Sequence, residues 1–268
     1  MGTTATMSDA IPDVQSSPDR RSIAIDKVGV KSVAFPMTLK TRDGGTQTAT
    51  SSVNMYVSLP HHQKGTHMSR FLEVLGDVGQ PLTPDCVLEV AREIKDKLDA
   101  EDAHIEVEFT YFIPKSAPVT GRTGLMDYKV KITAESNNHE DFVLTVGAPA
   151  TSLCPCSKEI SAYGAHNQRC FIEASVRFEG ELWIEDLAEM LERSASCEVY
   201  PQLKRPDEKF VTEAAFDNPK FVEDIVRDLA ITLDTDERVR WYTISSTNYE
   251  SIHNHDAYAQ LTRDKRDA

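Results

Sequence analysis

Two cysteines and a histidine that could bind a metal lie within one short stretch, "SLCPCSKEISAYGAHNQRC", residues 152–170. Cys154 and Cys156 flank a proline, which has no amide hydrogen and therefore suits a loop with exposed thiols better than a central strand. Together with His166 they offer thiolate and imidazole, two ligands that zinc prefers. No second Cys/His pair lies at zinc-finger spacing, so the pattern favours an open, catalytic metal site. A metal-free catalytic thiol and simple packing remain alternatives.

Composition limits the classes of protein to consider. The five cysteines are odd in number and irregularly spaced, which favours reduced thiols or metal ligands over a disulfide framework. No apolar run approaches the roughly 20 residues of a membrane span, and residues 1–20 do not resemble a secretory signal. We therefore expect a cytoplasmic protein without a membrane partner. A net charge of −14 disfavours nucleic-acid binding, so an anionic substrate would need a local basic patch.

The elements that must position these residues alternate between β-like and helical patterns. Residues 1–21 are rich in Ser, Thr, Pro and Asp and predict a disordered leader. β-branched runs on either side of Asp43-Gly44-Gly45 then predict a hairpin. Thr83 and Pro84 predict the start of a helix. Three strand-like runs follow within 104–149, and a second round of strand, helix, helix and two strands follows within 169–262.

The second round echoes the first. Pro84, Ala91 and Leu98 correspond to Pro219, Val226 and Leu233 at a constant offset, and each helix is followed by a strand. This favours an α+β fold of two tandem units, each an antiparallel sheet with helices packed on one face. We expect the first unit at 22–150, the second at 151–262 and a tail at 263–268.

Four stretches in order resemble one enzyme family. "VGVKSVAFPM", "KGTHMSRF", "SLCPCSKEISAYGAHNQR" and "HNHDAYAQ" are similar to hallmarks of type IB GTP cyclohydrolases, bacterial enzymes of the tunnelling fold. The resemblance covers about residues 22–262. It implies hydrolysis of GTP to 7,8-dihydroneopterin triphosphate and formate, at the entry to folate-type pterins and, in some bacteria, to deazaguanine-modified tRNA. It also implies a homotetramer with active sites at subunit interfaces. Another tunnelling-fold purine or pterin enzyme and a zinc-stabilised binding module are the alternatives.

The same resemblance implies roles for individual residues. Cys154, His166 and Glu208 would hold one divalent metal per site, for which Zn²⁺, Mn²⁺ and Fe²⁺ are all suitable. Cys156 would be a second thiol that the reaction needs without binding the metal. Glu223 would accept two hydrogen bonds from guanine, although its pattern alone favours an exposed helix residue paired with Arg227.

Two further groups complete the predicted site. His253 and His255 are the candidates for proton transfer, because imidazole titrates near neutral pH. Their simpler interpretation is one outward-facing side chain and one sheet residue. The triphosphate needs cationic and hydrogen-bonding partners. The segment "HHQKGTHMSRF" offers four of them, namely Lys64, His67, Ser69 and Arg70.

Overall fold

The computed structural model describes residues 13–78 and 82–265. Within these ranges the chain forms nine strands, six α-helices and one short 3-10 turn at Pro84–Cys86. The strands are β1 (Ile25–Lys40), β2 (Thr46–Leu59), β3 (Ala103–Ser116), β4 (Thr123–Ser136), β5 (Asp141–Leu153), β6 (Asn167–Phe178), β7 (Cys197–Glu198), β8 (Val239–Asn248) and β9 (Ala257–Asp264). The helices are α1 (Met68–Asp77), α2 (Val87–Leu98), α3 (Pro155–Ile160), α4 (Ile184–Ser194), α5 (Arg205–Asp217) and α6 (Val222–Thr235).

The described strands join into one continuous antiparallel sheet. Their order is β1-β2-β3-β4-β5-β6-β8-β9, and the two-residue β7 pairs with β5. Helices α1, α2, α4 and α6 contact the sheet, and alternate side chains of the strands face them in one hydrophobic core. On α6, for example, Ile225, Leu229 and Leu233 are fully buried. Each such side chain contributes about 2 kcal/mol by leaving water. The predicted α+β class is confirmed.

The opposite face of the sheet is open and polar. A groove of about 910 Å³ runs across it between β1 and β8. Its lining is mostly hydroxyl and charged side chains, including Thr50, Glu108, Lys129, Lys131 and Thr145. Alternation of apolar and polar residues along each strand therefore puts the helices and the core on one side only.

Most predicted elements are found. In the turn between β1 and β2, Gly44 has a φ of +86°. Residues with a side chain rarely adopt this conformation, so the glycine suits the predicted hairpin turn. The predicted helix after Pro84 is α2. Helices α1, α3 and α5 are not among the elements that the sequence patterns predicted. Two of them, α3 and α5, begin with proline in the first turn, a signal that charged and cysteine-rich surroundings obscured.

The leader prediction and the structure differ for residues 13–21. The backbone of Ser17 accepts a hydrogen bond from the Lys64 amide, and the Asp19 amide donates to the His62 carbonyl. Residues 1–12 lie outside the described ranges, as do 266–268 of the predicted tail. Strand β9 extends to Asp264. The division into two units stays a prediction, and its boundary at 150/151 falls inside β5.

The register of the strands defines two opposite edges of the sheet. At one edge β5 ends at Leu153, opposite Asn167 at the start of β6, and β8 ends nearby at Asn248; we call this the site edge. At the other edge β2 ends beside the start of β3 and the end of β4, and β5 begins at Asp141; we call this the far edge. The 13 residues of β5 separate the two edges by roughly 40 Å.

Candidate active site

Cys154 lies at the site edge, immediately after β5. It is the N-cap of the six-residue helix α3, and its sulfur accepts a hydrogen bond of 3.4 Å from the Ser157 amide. The expectation of a loop was therefore wrong, because Pro155 occupies the first helical position, where its missing amide hydrogen costs nothing. Cys156 in the first turn is exposed, as expected, whereas Cys154 is half-buried.

The strand end that precedes Cys154 is firmly held. The Leu153 carbonyl accepts a hydrogen bond of 3.0 Å from the Lys220 amide, and the Leu153 amide donates to Ser196 Oγ at 3.0 Å. The buried side chain of Ser152 donates to the Lys220 carbonyl and accepts from Asn248 Nδ2. Lys220 lies just before α6, so these contacts fix the start of α6 against the end of β5.

His166 is brought next to Cys154 by the loop that connects α3 to β6. The Cys154 amide donates to the His166 carbonyl at 3.2 Å, and the His166 amide donates to Ser157 Oγ at 3.2 Å. The imidazole Nδ1 lies 2.9 Å from Oε1 of Gln168, which is buried, and 3.4 Å from Ser251 Oγ. Gln168 Nε2 in turn donates to Glu250 Oε1 at 3.4 Å. The two predicted ligands therefore share one small region.

Gln168, Glu250 and Ser251 were missed in the sequence. One signal could have identified Gln168, because residues two apart in an extended segment project to the same side, and His166 directly precedes β6, which begins at Asn167. No such local signal connects residues 250 and 251 with His166, since they are more than 80 positions away.

His253 and His255 lie in the loop between β8 and β9. Both are exposed, and their rings stack with centroids 5.1 Å apart. The sequence pattern extended a strand across them, but β9 begins only at Ala257, so neither is a sheet residue. Their loop reaches the metal-ligand candidates through Glu250 and Ser251.

Glu208 occupies the first turn of α5, a helix that the sequence patterns did not predict. Its neighbour Asp207 is fully buried and accepts hydrogen bonds from the amides of Val119, Thr120 and Lys204 and from the Thr120 hydroxyl. Burial by itself would raise the pKa of Asp207, but these hydrogen bonds outweigh it and hold the pKa well below its usual value. Asp207 thus ties the helix that carries Glu208 to the β3–β4 loop.

The donor set at the site edge suits a divalent metal in part. Cys154 offers a half-buried sulfur, and the hydrogen bond at His166 Nδ1 leaves Nε2 available. Among residues 13–78 and 82–265, however, no three His, Cys, Asp or Glu side chains are gathered around one point that could hold a metal. Helix α5 meets α3 through its other end, where Lys158 Nζ donates to the Phe216 carbonyl. Glu208 is eight residues away, about 12 Å along the helix axis.

Glu223 stands in the first turn of α6, at the site edge. Its side chain is exposed. Arg227, which the alternative interpretation paired with Glu223, lies 3.5 Å from Asp224 instead. The Asp224 carboxylate also accepts from the Phe221 amide and caps the helix. The Glu223 carboxylate is therefore accessible to a ligand.

The predicted triphosphate ligands are at the far edge. His67 is the N-cap of α1, and its Nε2 lies 3.0 Å from Asp13. Arg70 donates to the Lys97 carbonyl at the end of α2, while Lys64 and Ser69 are exposed. Within one chain, the structure does not bring these four residues to the Cys154 region.

The fold resembles that of solved uricases. The solved structure of uricase from Arthrobacter globiformis aligns with 91% of this chain and 94% of its own, with a TM-score of 0.52 and 8% sequence identity. A uricase from Bacillus fastidious aligns with 92% and 95%, with a TM-score of 0.54 and 10% identity. At this identity the likeness concerns the fold alone. It is compatible with the predicted tunnelling-type architecture.

Sequence comparison identifies the family. Residues 11–259 match the model of the type I GTP cyclohydrolase FolE2 family. GTP cyclohydrolase FolE2 of Magnetococcus marinus is 54% identical over 257 residues, 96% of this chain and 97% of the relative. GTP cyclohydrolase FolE2 of Herminiimonas arsenicoxydans is 55% identical over 258 residues, with 96% and 98% covered. The chain belongs to the FolE2 family of type I GTP cyclohydrolases, as its four sequence motifs predicted.

In the described part of the chain, no helix has the length and apolar character needed to cross a membrane.

Proposed function

We propose that this chain hydrolyses GTP to 7,8-dihydroneopterin triphosphate and formate, as the first step of folate biosynthesis. Its family membership supports the GTP cyclohydrolase activity. The structural observation that carries the proposal is that Cys154, His166 and Glu223 all lie at the site edge, where the hydrogen bond from the Lys220 amide to the Leu153 carbonyl joins the start of α6 to the end of β5. Sulfur, imidazole and carboxylate are thus carried on chain segments that meet at this edge.

The reaction needs activated water and several proton transfers. Water adds at carbon 8 of guanine and opens the imidazole ring, a second water releases formate, and one water is lost when the rearranged ribose closes the new ring. Cys154, His166 and Glu208 would hold a divalent metal, which would supply the activated water. For Glu208 to join the other two ligands, the first turn of α5 must approach α3, because the described residues show no group of three.

The chain's own acids and bases would move the protons. His253 and His255 are exposed in the loop that Glu250 and Ser251 connect to His166. Imidazole is the side chain best suited to proton transfer at neutral pH. Cys156 is an exposed thiol in the first turn of α3, two residues after Cys154, and would reach a substrate bound there. We assign the proton transfers at the ring nitrogen and the sugar to the two histidines.

Glu223 would select guanine. A carboxylate can accept two hydrogen bonds, one from the guanine amino group and one from the ring N–H, in a planar pair. Adenine lacks this pair of donors, so it would leave the carboxylate without partners. The Glu223 carboxylate is exposed and is therefore free to make such a pair.

The triphosphate would be bound by a neighbouring copy of the chain. Lys64, His67, Ser69 and Arg70 lie at the far edge, roughly 40 Å along the sheet from Cys154. Large apolar side chains also surround the site edge in the single chain; Tyr163 is fully exposed, and Ile160, Tyr249 and Ile252 are 79%, 47% and 64% exposed. An interface would remove them from water. Both observations support an interface at the site edge, as the predicted homotetramer would have, at which each site combines residues of two chains.

Formate release tests the proposal directly. Purified protein is incubated with GTP after chelation, and again after addition of Zn²⁺ or Mn²⁺, while formate and the fluorescence of the oxidised pterin are measured. We expect both products to appear only with the metal. Absence of GTP turnover despite a filled metal site would contradict the proposal and favour another purine or pterin as substrate. Unfolding on chelation would favour a structural metal.

A further inference from the structure

The hydrogen bonds around His166 determine which of its two nitrogens can bind a metal. We propose that Gln168, oriented by Glu250, holds the His166 imidazole in the tautomer with its proton on Nδ1, and so leaves Nε2 free as the metal ligand. This inference rests on the proposed function, because it takes His166 as a ligand. It makes Gln168 a positioning residue that acts through His166.

The amide of Gln168 has one orientation that satisfies its neighbours. Its two ends, an oxygen and a nitrogen, differ in hydrogen bonding, since the oxygen only accepts and the NH₂ only donates. An ionised carboxylate also only accepts. Glu250 Oε1 lies 3.4 Å from one end of the amide, so that end must be the NH₂ group. The other end, which faces His166, must then be the oxygen.

The orientation of the Gln168 amide in turn fixes the proton on the His166 imidazole. Gln168 Oε1 lies 2.9 Å from His166 Nδ1, and an amide oxygen needs a donor. Nδ1 must therefore carry the proton, and in the neutral ring Nε2 is left with the lone pair. Ser251 Oγ is the more distant contact, at 3.4 Å from Nδ1, and can accept a bifurcated hydrogen bond from the same N–H group. Metal-binding histidines commonly have their other nitrogen fixed by an oxygen in this way.

Burial strengthens this arrangement. Gln168 is 8% exposed, so water is poorly placed to replace either of its hydrogen bonds. Glu250 belongs to the segment that precedes His253 and His255. The chain of contacts from His166 through Gln168 to Glu250 consequently connects the metal ligand to the loop that carries the proposed proton-transfer residues.

Paired variants test the inference. Replacing the amide by an apolar group in Q168L should weaken the affinity for Zn²⁺ or Co²⁺ by about 10- to 100-fold, measured by competition with a chromophoric chelator. Q168E alone places two carboxylates against each other. The double variant Q168E/E250Q restores both hydrogen bonds, because residue 168 then accepts from Nδ1 and residue 250 donates to it. We expect the double variant to bind metal more tightly than either Q168L or Q168E.

A readout without metal separates positioning from loss of structure. Nitrogen-15 spectra of histidine-labelled, metal-free protein distinguish the two tautomers, and H166A identifies the signal of His166. We expect the Nδ1–H form in the wild type and a mixture in Q168L. Gln260→Leu, on the exposed face of β9, serves as the matched control and should change neither readout. An Nε2–H tautomer in the wild type, or unchanged affinity in Q168L, would overturn the inference.

These outcomes differ from failure of the proposed function. If the wild type binds no stoichiometric metal, or H166A binds it as well as the wild type does, then His166 is not a ligand and the proposed metal site is wrong. If H166A loses the metal while Q168L keeps the wild-type affinity and tautomer, only the role of Gln168 is wrong.

Discussion

The two edges of the sheet differ in what they contribute. The site edge holds the sulfur, imidazole and carboxylate groups on strand ends that many hydrogen bonds fix, as at Leu153 and Ser152. The far edge holds the cationic segment, where Lys64 is exposed and Arg70 makes one contact of 3.4 Å to Lys97. The proposed ligands Cys154 and His166 are therefore held together within one chain, whereas the residues proposed to bind the triphosphate lie away from them. Such a division favours assembly of the site from two copies.

The largest effect is expected at the site edge. C154A removes the sulfur ligand, so we expect loss of the bound metal and a roughly thousandfold or greater fall in formate release. Metal content by atomic emission and turnover of GTP measure both effects. Full activity in a metal-free C154A protein would contradict the assignment.

The next effect tests the comparison between the edges. R70A removes a charged hydrogen-bond donor to phosphate, so we expect the KM for GTP to rise about 10- to 100-fold. Co-assembly of R70A with C154A chains should restore activity, to about a quarter of wild type if chains mix randomly, because some sites then combine both intact residues. The control R193A, an exposed residue on α4, should behave as the wild type does. If activity is not restored, Arg70 and Cys154 do not act together from different chains, and assembly of the site from two copies would be wrong.

A smaller effect is expected at Asp207, which ties the start of α5 to the β3–β4 loop. D207A should lower the thermal midpoint by several degrees and weaken metal binding, because the carboxylate stops accepting from Thr120 and Lys204. The pKa of Asp207 is lower in the folded chain than in the unfolded chain. The carboxylate therefore stabilises the fold fully above its unfolded pKa of about 4. Hence the difference in thermal midpoint between D207A and the wild type should shrink as the pH falls below 4. D217A, at the exposed end of the same helix, is the control; equal midpoints for both variants would argue against the tie.

The smallest effect is expected at Cys170, which faces the core from β6. C170A should lower the free energy of unfolding by about 1 kcal/mol and leave formate release unchanged. Burial raises the pKa of this thiol to about 12. The neutral thiol therefore stabilises the fold fully below its unfolded pKa of about 8.5, and this stabilisation is lost as the pH rises further. Urea unfolding at pH 7 and pH 9.5 should show the difference from wild type shrinking. A loss of activity would place Cys170 in the site.

Prediction from sequence succeeded where a signal is local. The hairpin around Gly44 depends on turn residues, and α2 depends on apolar spacing after a proline, so both could be found without a structure. The short helix after Cys154 and the helix that carries Glu208 were missed, because their interiors lack a clear apolar face and tertiary contacts stabilise them. For Asp207 these contacts come from residues 119 and 120, far away in sequence.

The sequence alone determined the α+β class, the family and the candidate residues. Composition, short motifs and periodicity carry this information, and each can be recognised from residues that are close together in the chain. Only the tertiary structure decided their arrangement. Strand register placed His166 beside Cys154 and Lys64 at the opposite edge, and a loop more than 80 positions away supplied Glu250 as the partner of Gln168. Such contacts depend on how distant strands pair, and local sequence does not encode that pairing.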